Sequence, residues 1–181
     1  MKAQVYWIDG PWPGHLAIVP RPRGGDWLED EVQAWRQAGL DRVVSLLTPD
    51  EVADVDLSKE AAWCQAHDIQ FMSFPIPDRS VPASRHAVLA LVQQLEQALA
   101  AGEHIAVHCR QGIGRSALLA ACVLVAAGAE PDTALQHISA ARGCMVPETV
   151  AQQEWVKACV PALAMPGNGV WKAWPGKQEQ P

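Results

Sequence analysis

Along this chain, short unbroken apolar runs alternate with longer stretches in which apolar residues recur every three or four positions. The runs Gln4–Ile8, His15–Val19, Arg42–Leu47, Ile69–Phe74 and His104–His108 are the length of strands, and several are rich in β-branched residues. Between Ala83 and Ala101, Val88, Leu91, Val92, Leu95 and Leu99 fall at helical spacing, with Gly102 as the stop. Helices are also predicted from Asp26 to about Gly39, over Ser58–His67 and Arg115–Ala127, from Pro131 to about Arg142, and from Pro147 to about Val160. Asp26 with Glu29 three positions on has the pattern of a capping box. Thr48–Glu51 reads as a turn or helix start, and PRPRGG, Pro20–Gly25, as a loop.

Strands alternating with helices predict an α/β fold. The form expected is a single-domain three-layer sandwich, with helices flanking a largely parallel central sheet of about four to five strands. The domain is expected over residues 1–163, followed by a mobile tail, 164–181, that carries Trp171 and Trp174. In such sheets, ligands sit at the carboxyl ends of the strands.

Composition narrows the partners. The 181 residues are 49% hydrophobic and 19% charged, which fits a soluble globular domain. No apolar run reaches the ~20 residues of a membrane span, and Met1–Asp9 lacks the basic and apolar regions of a secretory signal. The expectation is a cytoplasmic monomer without a membrane partner. A net charge of −6 argues against nucleic acid, whose binding rests on Lys and Arg neutralising phosphates. Five cysteines, widely spaced and without a CxxC pair, argue against a disulfide framework or zinc site. Cys64, Cys122, Cys144 and Cys159 read as packing residues, with one of them open to protecting an oxidised Cys109 as a disulfide.

The candidate chemistry lies in HCRQGIGRS, His108–Ser116, between a strand and a helix. Gly112 and Gly114 allow the backbone to curl with its N–H groups inward, and such a nest at a helix N-terminus binds a phosphate-like dianion. The guanidinium of Arg115 can take two phosphate oxygens at once. At the foot of the nest, Cys109 meets the surroundings that favour a thiolate, and a thiolate below a bound phosphate is an in-line nucleophile. A Gly-rich turn with a buried thiol is the plain alternative; the combination of Cys, two glycines, Arg and Ser at this spacing favours the chemistry.

HCRQGIGRS resembles the HCxxGxxR[ST] signature of the cysteine-based protein tyrosine phosphatase superfamily, and the chain is similar to its compact dual-specificity group. FPIPDRSVP resembles the acid loop of the kinase-associated phosphatases and their bacterial relatives, and the resemblance extends over roughly Pro13 to Val160. It implies a phosphotyrosine protein phosphatase-like fold and these roles: Cys109 as nucleophile, Arg115 binding phosphate and stabilising the transition state, Arg110, Gln111, Gly112, Ile113 and Gly114 giving backbone donors to the phosphate, Ser116 hydrogen-bonding the sulfur, and His108 ordering the loop. It also places a general acid upstream of the nucleophile. Asp78, stiffened by Pro75, Pro77 and Pro82, is the candidate; a solvated turn aspartate is the other reading. No metal or other cofactor is expected, because Arg115 and the loop amides supply the positive field.

Thr149 and Gln152 fall where many relatives carry a Thr and a Gln; Gln152 then orients the hydrolytic water or, alternatively, lies with Gln153 on a polar helix face. Arg79 reads as a site for a second anionic group or as a solvated side chain. Glu51 reads as a helix-start carboxylate or as a brace for a basic loop residue, and Arg21 and Arg23 as surface loop residues. The activity implied is hydrolysis of phosphotyrosine, possible also at phosphoserine and phosphothreonine, in a phosphorylated protein, by way of phosphocysteine. The alternatives are a lipid, nucleotide or sugar phosphatase, a phosphate-binding module without turnover, and a sulfurtransferase. Gln111 and Ile113, where lipid-directed relatives carry basic residues, weigh against inositol phosphates.

Overall fold

Five strands form one sheet in the order β1-β2-β5-β3-β4. The computed structural model describes residues 2–163, so the predicted tail with Trp171 and Trp174 lies outside the described residues. The strands are β1 (Tyr6–Ile8), β2 (Leu16–Ile18), β3 (Arg42–Ser45), β4 (Gln70–Ser73) and β5 (Ile105–His108). Only β1 runs antiparallel to its neighbour; β2, β5, β3 and β4 are mutually parallel. The helices are α1 (Leu28–Gln37), α2 (Pro49–Asp54), α3 (Glu60–Ala66), α4 (Arg85–Ala100), α5 (Arg115–Ala126), α6 (Pro131–Arg142) and α7 (Val150–Leu163). None of the described helices is long and apolar enough to cross a membrane.

Side-chain alternation along the strands sends successive residues to opposite faces and builds two cores. Ile105 and Val107 of β5 join the larger cluster, with Leu95 and Leu99 of α4 and with α5, α6 and α7. Ala106, between them, joins the smaller one with Val32 and Trp35 of α1, Leu57 and Cys64. The three-layer sandwich expected from the alternation is the observed architecture. In α5, eleven consecutive residues from Arg115 to Val125 are buried, which explains its nearly unbroken apolar sequence: it has no solvent face.

The boundaries move where caps decide them. The capping box expected at Asp26 and Glu29 does not form; a 3-10 turn, Gly25–Trp27, precedes α1, and neither start carries a side-chain cap. The capping box is instead at α2, where Thr48 Oγ1 accepts from Glu51 N–H and the Glu51 carboxylate accepts from Thr48 N–H. Ser84 caps α4, its Oγ accepting from Ala87 N–H at 3.2 Å. α3 starts at Glu60 rather than Ser58, and α7 at Val150 rather than Pro147. At α7, Thr149 and Gln152 exchange backbone-to-side-chain bonds of 3.3 and 3.2 Å, the same reciprocal device as at α2. Cys64, Cys122 and Cys159 are buried, but Cys144 is exposed and so is not a packing residue.

Candidate active site

β5 lies in the middle of the sheet with all four of its residues buried. Its carboxyl end is held on both sides, Val19 N–H donating to Val107 C=O at 3.1 Å and Leu46 N–H to His108 C=O at 3.0 Å. The chain then turns through Cys109–Gly114 into α5, so the loop starts from the most constrained point of the sheet.

The two glycines serve the turn for different reasons. Gly112 has φ +72, the left-handed region that favours glycine, and a Cβ there would lie 3.1 Å from Ile18 Cγ2. Gly114 has φ −109, so close approach accounts for it. A Cβ at Gly114 would meet Glu148 Oε2 at 3.1 Å and the Gln152 amide at 3.2 Å.

Cys109 Sγ lies 3.1 Å from Ser116 Oγ and accepts from Gly112 N–H at 3.3 Å. Burial pushes this thiol up, but the Ser116 hydroxyl and the amides of Ser116, Gly112 and Gln111 outweigh it and hold the thiol below its ordinary value. The other buried thiols go the opposite way. Burial pushes Cys64 to about 12, with Glu60 adding to the rise, and it raises Cys122 and Cys159 as well.

Arg115 is 1% exposed and fully engaged on one side. Its Nη1 donates to Glu51 Oε2 at 2.6 Å and to Ile76 C=O at 2.8 Å. Its Nη2 donates to Glu51 Oε1 at 2.8 Å and to Asp78 Oδ1 at 2.9 Å. Burial of the guanidinium is outweighed by these carboxylates and the Cys109 sulfur, which raise its pKa. Glu51 thus takes both readings given to it: it closes the α2 capping box and braces Arg115, with Arg110 3.9 Å away.

The segment carrying Asp78 is tied to the rest at several points. Phe74 N–H donates to Ser45 C=O and Ile76 N–H to Leu46 C=O. Arg79, at φ +55, pairs with Glu148 at 3.0 Å while its side chain remains largely in solvent, 66% exposed. Gln152 Nε2 donates to Ser80 C=O at 3.1 Å. Gln152 is fully buried and so does not lie on a polar surface; its amide spans Ser80 and Thr149 behind the loop. Gln153 is half-buried.

His108 is buried beneath the loop, its Nε2 2.7 Å from Glu60 Oε1, a contact by distance that is not aligned as a hydrogen bond. Sequence reasoning missed two residues. Arg142 Nε donates to Gly112 C=O at 2.8 Å and Nη2 to Gln111 C=O at 3.4 Å, with its guanidinium 3.7 Å over the Tyr6 ring. These bonds hold loop carbonyls away from the cavity. Glu148 is the other. A pairing between residues so far apart in the chain leaves no local pattern for a sequence to display.

Asp78, Arg79, Cys109, Arg110, Gln111, Ile113, Gly114, Arg115 and Glu148 line a cavity of about 120 Å³. Pockets that enclose a drug-sized ligand are roughly 300–1,000 Å³, so this one takes a phosphate-sized group and leaves the remainder of a ligand on the rim. Among the described residues, no cluster of three or more His, Cys, Asp or Glu is placed to hold a metal ion.

A thiol beside inward-facing loop amides, closed by a buried guanidinium, is an arrangement that can hold a phosphate group over the sulfur. The family described as PTP-SAK, Swiss Army Knife protein, DSP-PTPase phosphatase domain, matches residues 3–158, and the chain belongs to it. The chain is also 35% identical over 94 residues to protein 067L of Invertebrate iridescent virus 3, named as a candidate tyrosine phosphatase. That match takes in 46% of this chain and spans 38% of the viral protein's length. Among solved structures, kinase associated phosphatase with its catalytic cysteine changed to serine superimposes with a TM-score of 0.81 at 18% identity, covering 91% of this chain and 97% of that one. PTPMT1 in complex with PI(5)P gives 0.70 at 18% identity, covering 87% and 97%. At those identities the two structures bear on the fold alone.

Proposed function

We infer that the protein is a phosphoprotein phosphatase that hydrolyses phosphotyrosine monoesters, and serine and threonine esters that reach the thiol, through phosphocysteine at Cys109. The observation that carries this reading is the Cys109 sulfur, held below its ordinary pKa by the Ser116 hydroxyl and the amides of Ser116, Gly112 and Gln111 at the floor of a phosphate-sized cavity.

In this mechanism the phosphate dianion sits in the ring of loop N–H groups and takes Arg115 Nη2 from Asp78. The Cys109 thiolate attacks phosphorus; the P–S bond forms as the P–O bond to the leaving group breaks. Asp78, released from Arg115 and entering this step as the neutral acid, gives its proton to the leaving oxygen and is left as a carboxylate. Water then attacks the phosphocysteine, Asp78 takes a proton from it, and the P–S bond breaks to give inorganic phosphate and the thiolate. The Ser116 hydroxyl, 3.1 Å from the sulfur, stabilises the departing thiolate. Arg115 and the amides stabilise charge on the equatorial oxygens in both steps. His108, Gln152 and Arg142 position the loops and do not touch the reacting atoms.

The test is hydrolysis of an aryl phosphate in EDTA by wild type and Cys109→Ser, with acid-quenched wild type examined by mass spectrometry. Turnover in EDTA that disappears in Cys109→Ser, with a phosphoryl mass on the Cys109 peptide, is the expected result. Turnover that persists in Cys109→Ser overturns the reading.

A further inference from the structure

The cavity is lined by three cations, Arg79, Arg110 and Arg115, and by Asp78, Glu148 and the Cys109 sulfur. The cations are already matched: Arg115 by Glu51 and Asp78, Arg79 by Glu148 at 3.0 Å, with Arg110 facing Glu51 at 3.9 Å. A bound phosphate therefore adds two negative charges to a site with no surplus of positive ones. Only a phosphate-sized group fits inside, so whatever bears the phosphate lies across the rim. There it meets the carboxylate of Glu148, which stands against Gly114 at the mouth of the loop.

We propose that Glu148 is a specificity-determining residue, which directs the site to phosphorylated segments flanked by basic residues and away from substrates with a second anionic group beside the phosphate. The inference rests on the phosphatase reading above and names its substrate class. Glu148 acts in two ways. It occupies Arg79, the rim cation that would otherwise welcome a second anion, and it offers a carboxylate to a Lys or Arg next to the phosphorylated residue. The two residues therefore pull the preference in opposite directions. Removing Glu148 frees Arg79 and favours acidic flanks; removing Arg79 frees Glu148 and sharpens the preference for basic ones.

The experiment compares kcat/KM on two phosphotyrosine peptides that differ only in Lys or Glu on both sides of the phosphotyrosine, for wild type, Glu148→Gln and Arg79→Gln. The quantity read is the Lys-to-Glu ratio within each protein, so a general loss of activity or folding cancels. Rim charges are partly screened, and each shift is expected on the order of threefold. Wild type favours the Lys peptide, Glu148→Gln lowers the ratio to about one or less, and Arg79→Gln raises it; all three ratios converge as salt is raised. A wild-type ratio of one or below, or variants that move the ratio in the same direction, overturns the inference and leaves the phosphatase reading standing. Failure of wild type on both peptides and on an aryl phosphate overturns the phosphatase reading, and the inference with it.

Discussion

Glu51 grips Arg115 with both carboxylate oxygens, at 2.6 and 2.8 Å, across 64 positions of the chain. The same carboxylate closes the capping box of α2, so the start of one helix fixes the cation at the start of another. Both side chains are nearly out of solvent, so removing Glu51 leaves the buried guanidinium with the more exposed Asp78 as its remaining carboxylate partner.

Replacing Glu51 by Gln is expected to lower stability by on the order of 3 kcal/mol, measured by urea denaturation at pH 7. Burial raises the Glu51 carboxyl, but Arg115 and Thr48 outweigh it and hold it below its ordinary 4.5. The stability this gives is complete above pH 4.5 and is lost as pH falls through the lowered folded value. The gap between wild type and variant therefore narrows only in acid; a gap that widens there contradicts the assignment.

Cys109 is expected to react with iodoacetamide at pH values where Cys64, Cys122 and Cys159 stay unlabelled. Peptide mapping after short exposure at pH 6 measures this. The exposed Cys144 is replaced by Ser in the test protein, so that accessibility alone does not decide the outcome. Phosphate or another oxyanion in the loop should protect Cys109 alone.

Arg142 acts on Cys109 through the loop backbone. Arg142→Ala is expected to lower kcat/KM on an aryl phosphate by about tenfold, the cost of a charge-assisted bond near 1.5 kcal/mol. It should also move the Cys109 alkylation profile to higher pH as the loop amides lose their aim. Arg142→Lys should recover part of both. An unmoved alkylation profile would show that Arg142 serves packing on Tyr6 only.

Asp78→Asn should leave fast leaving groups little affected and slow poor ones by about a hundredfold, because only the latter need the proton. Rates across a series of substituted aryl phosphates measure the difference. A uniform loss across the series would assign Asp78 to binding.

Glu96 lies outside the site, with one carboxylate oxygen buried and unpartnered, and burial pushes its pKa to about 7. An acid whose folded pKa is raised destabilises the fold once pH exceeds its unfolded value. Glu96→Gln is therefore expected to stabilise the protein by about 1 kcal/mol at pH 8, an amount discounted for the partial exposure of the residue. The gain should shrink as pH falls from 7 and vanish near 4.5, the ordinary carboxylate value; urea melts at three pH values would show it.

The sheet, the helices and the loop at Cys109 were legible because each rests on local pattern: apolar runs, helical spacing, and Cys, Gly, Arg and Ser within nine residues. The caps were less so. Asp26 and Glu29 carry the spacing of a capping box, yet a 3-10 turn at Gly25–Trp27 takes that place, while Thr48 and Glu51 have the same spacing and do form one. Arg142 and Glu148 carry no signal at all in one sequence, because their partners, the carbonyls of Gln111 and Gly112 and the side chain of Arg79, meet them only when α6 and α7 pack. For the same reason the pairing of Arg79 with Glu148 was not legible, and Gln152, for which a polar helix face was one reading, is buried with its amide on the Ser80 carbonyl.

The central position of β5 has a consequence for how this molecule can diversify. The phosphate loop issues from the strand least able to open without unfolding the sheet, so amide hydrogen exchange at Ala106–His108 should track global unfolding. Arg79 and Glu148, by contrast, lie on connecting segments at the rim. Mutational drift can rewrite the rim at little cost to the fold, whereas a change in the loop threatens folding and chemistry together. Substrate choice is thus the part of this protein that evolution can revise one residue at a time.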